Sequence, residues 1–415
     1  MFAKKMQNNH RHFGGYGGRY VPEMLIPALD ELEKAYFKYR EDVEFTRELD
    51  FLLRNYAGRP TPLYYAKNLT EKLGGARIYL KLESHAYTGA HKINNVLGQM
   101  LLASKMGKKE VVAETGAGQH GLATATAAAK FGMKCRIFMG EVDMNRQYPN
   151  VYSMELLGAE VIPVRYGSKT LKDAVNAALK YWTENLGSTH YLLGSTVGPF
   201  PYPLIVRDFQ TIIGREVKWQ LAEYESRGPD VLIACVGGGS NSMGLFYPFI
   251  KDEKVKLFGI EGGGRSPGAG DNAVKFGEHS SIGIIQGFKS YFLQDRYGRT
   301  LNTHSISAGL NFTGVGPELA YLKDNRRIEF SNVSDLEALE AYKMLARTEG
   351  IISALESAHA VAFATKIAPD YPNESIMVIN ISGRGDKDIF IAAKAISPHK
   401  WISYLQSEVD DVKSH

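Results

Sequence analysis

Apolar residues along this chain gather in short runs, each followed by a glycine-containing turn and then by a stretch with helical spacing. Residues 76–83 (ARIYLKLE) lead into 91–104, and 110–113 lead through TGAGQHG into the alanine-rich 122–130. Residues 134–140 precede a helical stretch near 150–157, VLIAC at 231–235 precedes GGGSNSMGLF, and SIMVINI at 375–381 precedes SGRGDKDIFIAAKAI. Repeated strand, glycine turn and helix units predict an α/β fold with mainly parallel sheets. Ligands on such sheets bind beyond the carboxyl ends of the strands, where these turns lie. A proline-rich stretch at 198–203 (GPFPYP) interrupts both patterns and is the expected crossover between two α/β units, although a plain loop has the same composition.

Length and composition narrow the class. A chain of 415 residues suggests two or three compact units. Glycine is the outlier at 42 residues, and its clustering points to backbone geometry at particular turns rather than to flexibility. The formal charge of +4 comes without a basic block that would suit nucleic acid or a membrane surface. The two cysteines, Cys135 and Cys235, lie in apolar settings and read as buried free thiols of a reducing compartment. The first residues lack an apolar leader segment and no run approaches a membrane span, so a cytoplasmic enzyme with small-molecule substrates is expected.

Two turns carry recognisable chemistry. VGGGSN, after the strand-like VLIAC, offers consecutive backbone N–H groups at a helix start, a cradle for phosphate or carboxylate. It has neither the spacing of a dinucleotide fingerprint nor the GK[ST] ending of a nucleotide-triphosphate loop, so a small phosphorylated cofactor suits it better. Lys92, in TGAHKINN, sits where a helix begins, and the positive end of a helix disfavours a cation. A solvated lysine is one reading. A lysine with a lowered pKa, as a Schiff-base lysine requires, is the other. A lysine imine beside a phosphate cradle indicates pyridoxal phosphate.

The motifs GRPTPL (58–63), TGAHKIN (88–94), AETGAGQHG (113–121), NVYSMELLGAEV (150–161), TLKDA (170–174), CVGGGSN (235–241), SISAGL (305–310), ALESAHA (354–360) and SGRGDKD (382–388) resemble, in order and spacing, the series of the tryptophan synthase β chain family. The likeness spans nearly the whole chain. It implies fold type II of the pyridoxal-phosphate enzymes: two three-layer α/β domains with mainly parallel sheets and the cofactor in the cleft between them. The expected N-terminal domain is 53–205, with a mobile subdomain at about 107–194. The expected C-terminal domain combines 1–52 with 206–397, and 398–415 forms a tail.

The same resemblance assigns roles. Lys92 would hold the cofactor and shuttle the α-proton, and His91 with Gly237, Gly238, Gly239, Ser240 and Asn241 would bind the phosphate. Glu356 would lie close to the ring, and Ser382 would face the pyridine nitrogen, favouring elimination and replacement at Cβ. Thr115, Gly116, Ala117, Gly118, Gln119 and His120 match the turn for the substrate carboxylate. Glu114 matches the acid–base carboxylate, whose alternative is a surface strand end. Phe312 would wall an indole pocket or simply fill core. The carbonyls of Gly237, Phe312 and Gly314 would hold a monovalent cation. Lys172 would face an α chain in a homodimer flanked by two α chains, or be an ordinary surface lysine.

Departures from the family pattern cluster at Asn311, where the family has Asp, and at Leu82, Ser84, Tyr87, Ser153, Met154, Phe200, Ile285 and Gln286. Asn311 would leave Arg146 uncompensated, which suits a more anionic donor such as O-phosphoserine. The implied activity is β-replacement joining indole and L-serine into L-tryptophan. The alternatives are a relative using another β-substituted donor or eliminating from it, and a weakly active paralogue that binds and activates an α chain.

Overall fold

The computed structural model describes residues 11–414. The parts of the expected segments at 1–10 and at 415 lie outside the described residues. Two parallel sheets form the frame. The larger has the strand order β13–β10–β9–β14–β4–β3, with β3 at Leu63–Tyr65, β4 at Arg77–Leu82, β9 at Val231–Cys235, β10 at Lys256–Gly264, β13 at Glu329–Ser334 and β14 at Ile376–Ile381. All its pairings are parallel except β3 with β4. The central strands β9 and β14 are buried at every position, as continuous apolar strands covered on both faces must be.

Helices Asp335–Glu349 and Leu355–Ile367 cover one face. Helices Ile212–Glu225, Ser240–Phe246 and Pro317–Asp324 cover the other. The smaller sheet, β7–β6–β5–β8, is wholly parallel. Its strands are β5 at Glu110–Thr115, β6 at Lys134–Gly140, β7 at Glu160–Val164 and β8 at Thr189–Tyr191. Helices Lys92–Lys105, Gln119–Phe131 and Tyr148–Leu156 pack on one side of it. Ile26–Tyr39 and Leu171–Glu184 pack on the other. The fold is therefore two three-layer α/β units, as expected, and every strand expected from the apolar runs is present.

The domain boundaries need correction. Strands β3 and β4, expected in the first unit, belong to the larger sheet, because β4 pairs residue for residue with β14 from Arg77–Ile376 to Leu82–Ile381. Helices Ile26–Tyr39 and Val43–Asn55, expected with the second unit as far as residue 52, bury Leu29, Leu32, Tyr36 and Leu52 against the core of the smaller sheet. The segment expected to move, about 107–194, comprises the whole smaller sheet. GPFPYP does separate β8 of the smaller sheet from β9 of the larger.

A third, antiparallel sheet joins β1 (His12–Phe13), β2 (Tyr16–Gly17), β12 (Phe288–Leu293) and β11 (Ser280–Ile285). Gln286 and Gly287, both with positive φ, form the two-residue turn of its β11–β12 hairpin. The tail is a helix, Pro398–Ser414, with no buried residue. No described helix is long and apolar enough to cross a membrane.

Candidate functional site

One cavity receives the carboxyl ends of strands from both sheets. Its wall includes Glu114 and Thr115 from the end of β5, Cys235 and Gly237 from the end of β9 and the loop after it, and Ser382 just beyond β14. The helix Lys92–Lys105 bridges the two sheets, since it follows β4 of the larger and precedes β5 of the smaller. Its first residue therefore lies at their junction. The start of this helix is tied down: the Gln210 amide donates to the His91 carbonyl (3.1 Å), and Asn94 donates to both Gln210 (3.2 Å) and Glu83 (3.0 Å). Upstream, Thr88 holds φ at +70°, an outlier for a β-branched residue that surrounding structure must enforce.

Lys92 Nζ donates to the Gly194 carbonyl (2.6 Å) and to Ser240 Oγ (3.2 Å). Burial lowers its pKa from 10.5 to about 8, against the opposing pull of Glu114 and Glu356. His91 is buried beside it, with Nδ1 3.0 Å from the Ser382 carbonyl and Nε2 2.9 Å from Ser240 Oγ. Burial and the Lys92 charge depress the imidazole to about 3, so it is neutral. A carbonyl only accepts, which places the proton on Nδ1 and leaves Nε2 to accept from Ser240. His91 thus orients the Ser240 hydroxyl and adds no charge to the cradle.

The loop Gly237–Gly238–Gly239 follows β9 and opens the helix Ser240–Phe246. Gly239 has φ +112°, and a Cβ there would lie 2.3 Å from Leu319 Cδ1, so only glycine fits. Asn241 lines the cavity, but its side chain is committed elsewhere. It donates to the Cys235 carbonyl (2.6 Å) and accepts from Asn380 (2.9 Å), so its backbone N–H is what the cradle gains.

On the opposite side, Thr115, Gly116, Ala117, Gln119 and His120 line the cavity, while Gly118 lies behind them. Gly118 has φ +84°, and a Cβ there would press within 2.6 Å of Asn150, whose amide donates to the Ala117 carbonyl. Glu114 is buried, and loss of water raises its carboxyl from 4.5 to about 7. The neighbouring Tyr191 hydroxyl, which sequence reasoning missed, opposes that shift. His120 Nε2 donates to the Leu192 carbonyl (2.8 Å), and burial holds this ring near 3, which leaves Nδ1 bare. Ser382 accepts no charge: its hydroxyl faces Ser357 Oγ (3.0 Å) and Cys235 Sγ (3.7 Å).

Glu356 is fixed rather than free. The Gly309 N–H (2.9 Å) and Lys387 Nζ (3.0 Å) bind its two oxygens, and the lysine charge holds its carboxyl down near 2 despite burial. Lys387 is shared with Asp388, both of whose oxygens lie 2.7 Å away. Lys387 carried no sequence signal beyond its place in SGRGDKD.

Leu171, Val175, Leu179, Leu193 and Phe312 make one end of the cavity apolar, and the hairpin residue Gln286 is a polar side chain among them. Its Nε2 is 3.5 Å from Asn176 Oδ1. The other departures stand away from the wall. Leu82 and Met154 are core, Tyr87 packs edge-on against Tyr56, Ser153 bonds the Pro149 carbonyl of its own helix, and Phe200 is buried under Arg19.

Asn311 is not part of the cavity wall, although Leu310 and Phe312 on either side of it are. Buried Asp143, raised by desolvation to about 6, feels the Arg146 charge. Cys135 and Cys235 are free and buried, as expected, with thiols pushed up to about 12.

Among the described residues, two polar atoms of the wall, Gln119 Oε1 and His120 Nδ1, are buried without a hydrogen-bond partner. Each costs roughly 1–3 kcal/mol unless a ligand supplies its partner. A lysine amine with lowered pKa, a glycine cradle and a neutral hydroxyl at Ser382 converge on the same space, which fits pyridoxal phosphate. No described cluster of His, Cys, Asp and Glu has the makings of a metal site.

A family model described as pyridoxal-phosphate dependent enzyme matches residues 55–383. Among solved structures, a threonine deaminase from T.th. aligns over 86% of this chain and 97% of its own, with 21% identity and a TM-score of 0.61. Maize serine racemase aligns over 83% of this chain and 94% of its own, with 18% identity and a TM-score of 0.59. At these identities the likeness is one of fold.

Proposed function

Because the chain belongs to the family of pyridoxal-phosphate dependent enzymes, with the two-domain α/β fold of type II, we propose that it catalyses β-replacement, joining indole to L-serine to give L-tryptophan. The observation that carries this reading is the pairing, across one cavity, of a lysine amine lowered to about 8 with a carboxyl raised to about 7. Two groups tuned toward neutrality can each give and take a proton at working pH.

Bound pyridoxal phosphate supplies the electron sink that makes the Cα–H bond of an amino acid acidic. Lys92 Nζ is the group that takes and returns the α-proton. Glu114 holds a proton below about pH 7, donates it to the departing β-hydroxyl, and as carboxylate accepts one from the incoming carbon nucleophile. The Thr115–His120 turn receives the substrate carboxylate on backbone N–H groups. The backbone N–H groups of 237–241 hold the phosphate, while the Ser240 hydroxyl is committed to His91. The apolar end at Leu171, Val175, Leu179 and Phe312 takes the flat aromatic ring of indole and excludes water, which protects the site from hydrolytic loss of the activated substrate.

Serine is the donor in this reading, and O-phosphoserine is the alternative that Asn311 raises. A paralogue that only activates a partner would have no use for the matched pKa values of Lys92 and Glu114. The proposal extends to a homodimer flanked by α chains that deliver indole, a reading supported by the motif series. The test is direct: cofactor-loaded protein is incubated with serine or O-phosphoserine, with and without indole, and products are separated. Tryptophan formed from serine and indole supports the proposal, and formation of a keto acid alone refutes it.

A further inference from the structure

Lys275 is a fully buried lysine that the chemistry above does not use. Its Nζ lies 2.7 Å from the Ala273 carbonyl, 3.1 Å from the Val236 carbonyl and 3.4 Å from Glu261 Oε1. An ammonium has three donors and no acceptor, and it gives two hydrogen bonds to carbonyls and an ion pair to Glu261. A neutral amine would turn its lone pair on one of them. Glu261 is held as a carboxylate by the N–H groups of Lys275 (2.8 Å) and Phe276 (3.3 Å). Burial draws both groups toward neutrality, and their mutual attraction with these hydrogen bonds opposes it.

The position of the ammonium gives it a task. Val236 is the last residue before the glycine cradle, and its N–H is bonded to the Ile260 carbonyl of β10 (2.7 Å). Ala273 is in turn tied to Gly262 of the same strand (2.9 Å). An ammonium bound by two main-chain carbonyls and balanced by the Glu261 carboxylate thus fastens the entrance of the 237–239 loop to β10 and to the 264–279 segment. That is the coordination a free monovalent ion would have, one peptide away from the Gly237 carbonyl, where such an ion was expected.

We propose that Lys275 is a built-in univalent cation that holds the phosphate cradle in its binding shape, so that cofactor binding needs no monovalent ion from solution. The inference rests on the cofactor and not on which amino acid the enzyme converts.

Cofactor-stripped protein is titrated with pyridoxal phosphate at constant ionic strength, followed by visible absorbance, in tetramethylammonium, sodium, potassium or ammonium chloride. The wild-type dissociation constant is expected to be the same in all four salts. Lys275→Ala, which leaves room for an ion, is expected to bind the cofactor at least about tenfold more weakly in tetramethylammonium, roughly 1.4 kcal/mol, and to recover in potassium or ammonium. Lys275→Met, which fills the space without charge, is expected to be weak in every salt. Wild-type affinity that collapses in tetramethylammonium overturns the proposal, and this arm stands even if the variants fail to fold. A Lys275→Ala protein that binds normally without small cations, or one that no cation restores, overturns it as well.

Discussion

Replacing Glu114 by glutamine separates the cost of this carboxyl to the fold from its use in catalysis. Its pKa rises from 4.5 in the unfolded chain to about 7 in the fold because burial disfavours the charge. The folded state therefore holds the proton more tightly. Stability from that proton is fully present below pH 4.5 and is lost as pH rises through about 7. At about 1.36 kcal/mol per pH unit the full loss is about 3 kcal/mol, of which about 2 kcal/mol falls between roughly pH 5.5 and 8.5. Glutamine keeps the shape and never ionises, so Glu114→Gln should be the more stable protein at the alkaline end. With an unfolding entropy of roughly 2 cal/mol/K per residue, a chain of this length converts 2 kcal/mol into a Tm difference of about 2 °C. Melting of cofactor-free wild type and variant, followed by circular dichroism across that pH range, measures the divergence. Other titrating groups are common to both proteins and cancel. Turnover of the loaded variant should fall by about 100-fold or more. Melting curves whose separation does not change with pH, or a variant that loses stability relative to wild type as pH rises, would refute the assignment of a buried, proton-holding Glu114.

Lys92→Ala should fold but show none of the visible absorbance that develops when wild type is titrated with pyridoxal phosphate; unchanged absorbance would move the attachment point elsewhere. Gly239→Ala forces a Cβ to within 2.3 Å of Leu319 at φ +112°, and should lower stability by about 1–3 kcal/mol and weaken cofactor binding, read by melting and by titration. Both thiols, raised to about 12, should resist a thiol reagent in the native protein at mildly alkaline pH and react after denaturation. Gln286→Leu should leave serine binding unchanged and tighten the KM for an unsubstituted indole, because it removes a polar group from the apolar end of the cavity.

The strands that read clearly in the sequence are those that end at the cavity. VLIAC and SIMVINI are continuous apolar runs because they are buried on both faces, and their glycine turns are needed by the ligand as much as by the chain. Partnerships across long separations had no local signal. Nothing in ARIYLKL says that it pairs with a strand about 300 residues later, and this displaced the domain boundary. The antiparallel sheet escaped notice because two of its strands are two residues long and β11 is largely solvent-facing. At the site, motif residues that touch the ligand space were legible, whereas those that act through others were not. Lys387, Tyr191 and Lys275 matter through Glu356, Glu114 and the Val236 carbonyl respectively, and only folding brings those pairs together. Asn311 drew attention by departing from a motif, yet it lies outside the cavity wall.

In the proposed reaction, matched proton-transfer groups at Lys92 and Glu114, facing an apolar pocket, perform β-replacement. Its most direct measurement is the product formed by cofactor-loaded wild type from isotopically labelled L-serine and indole, resolved by chromatography. Labelled L-tryptophan is expected, lost in Lys92→Ala and formed at least about 100-fold more slowly by Glu114→Gln. Labelled pyruvate or D-serine as the main product, with no tryptophan, would contradict it.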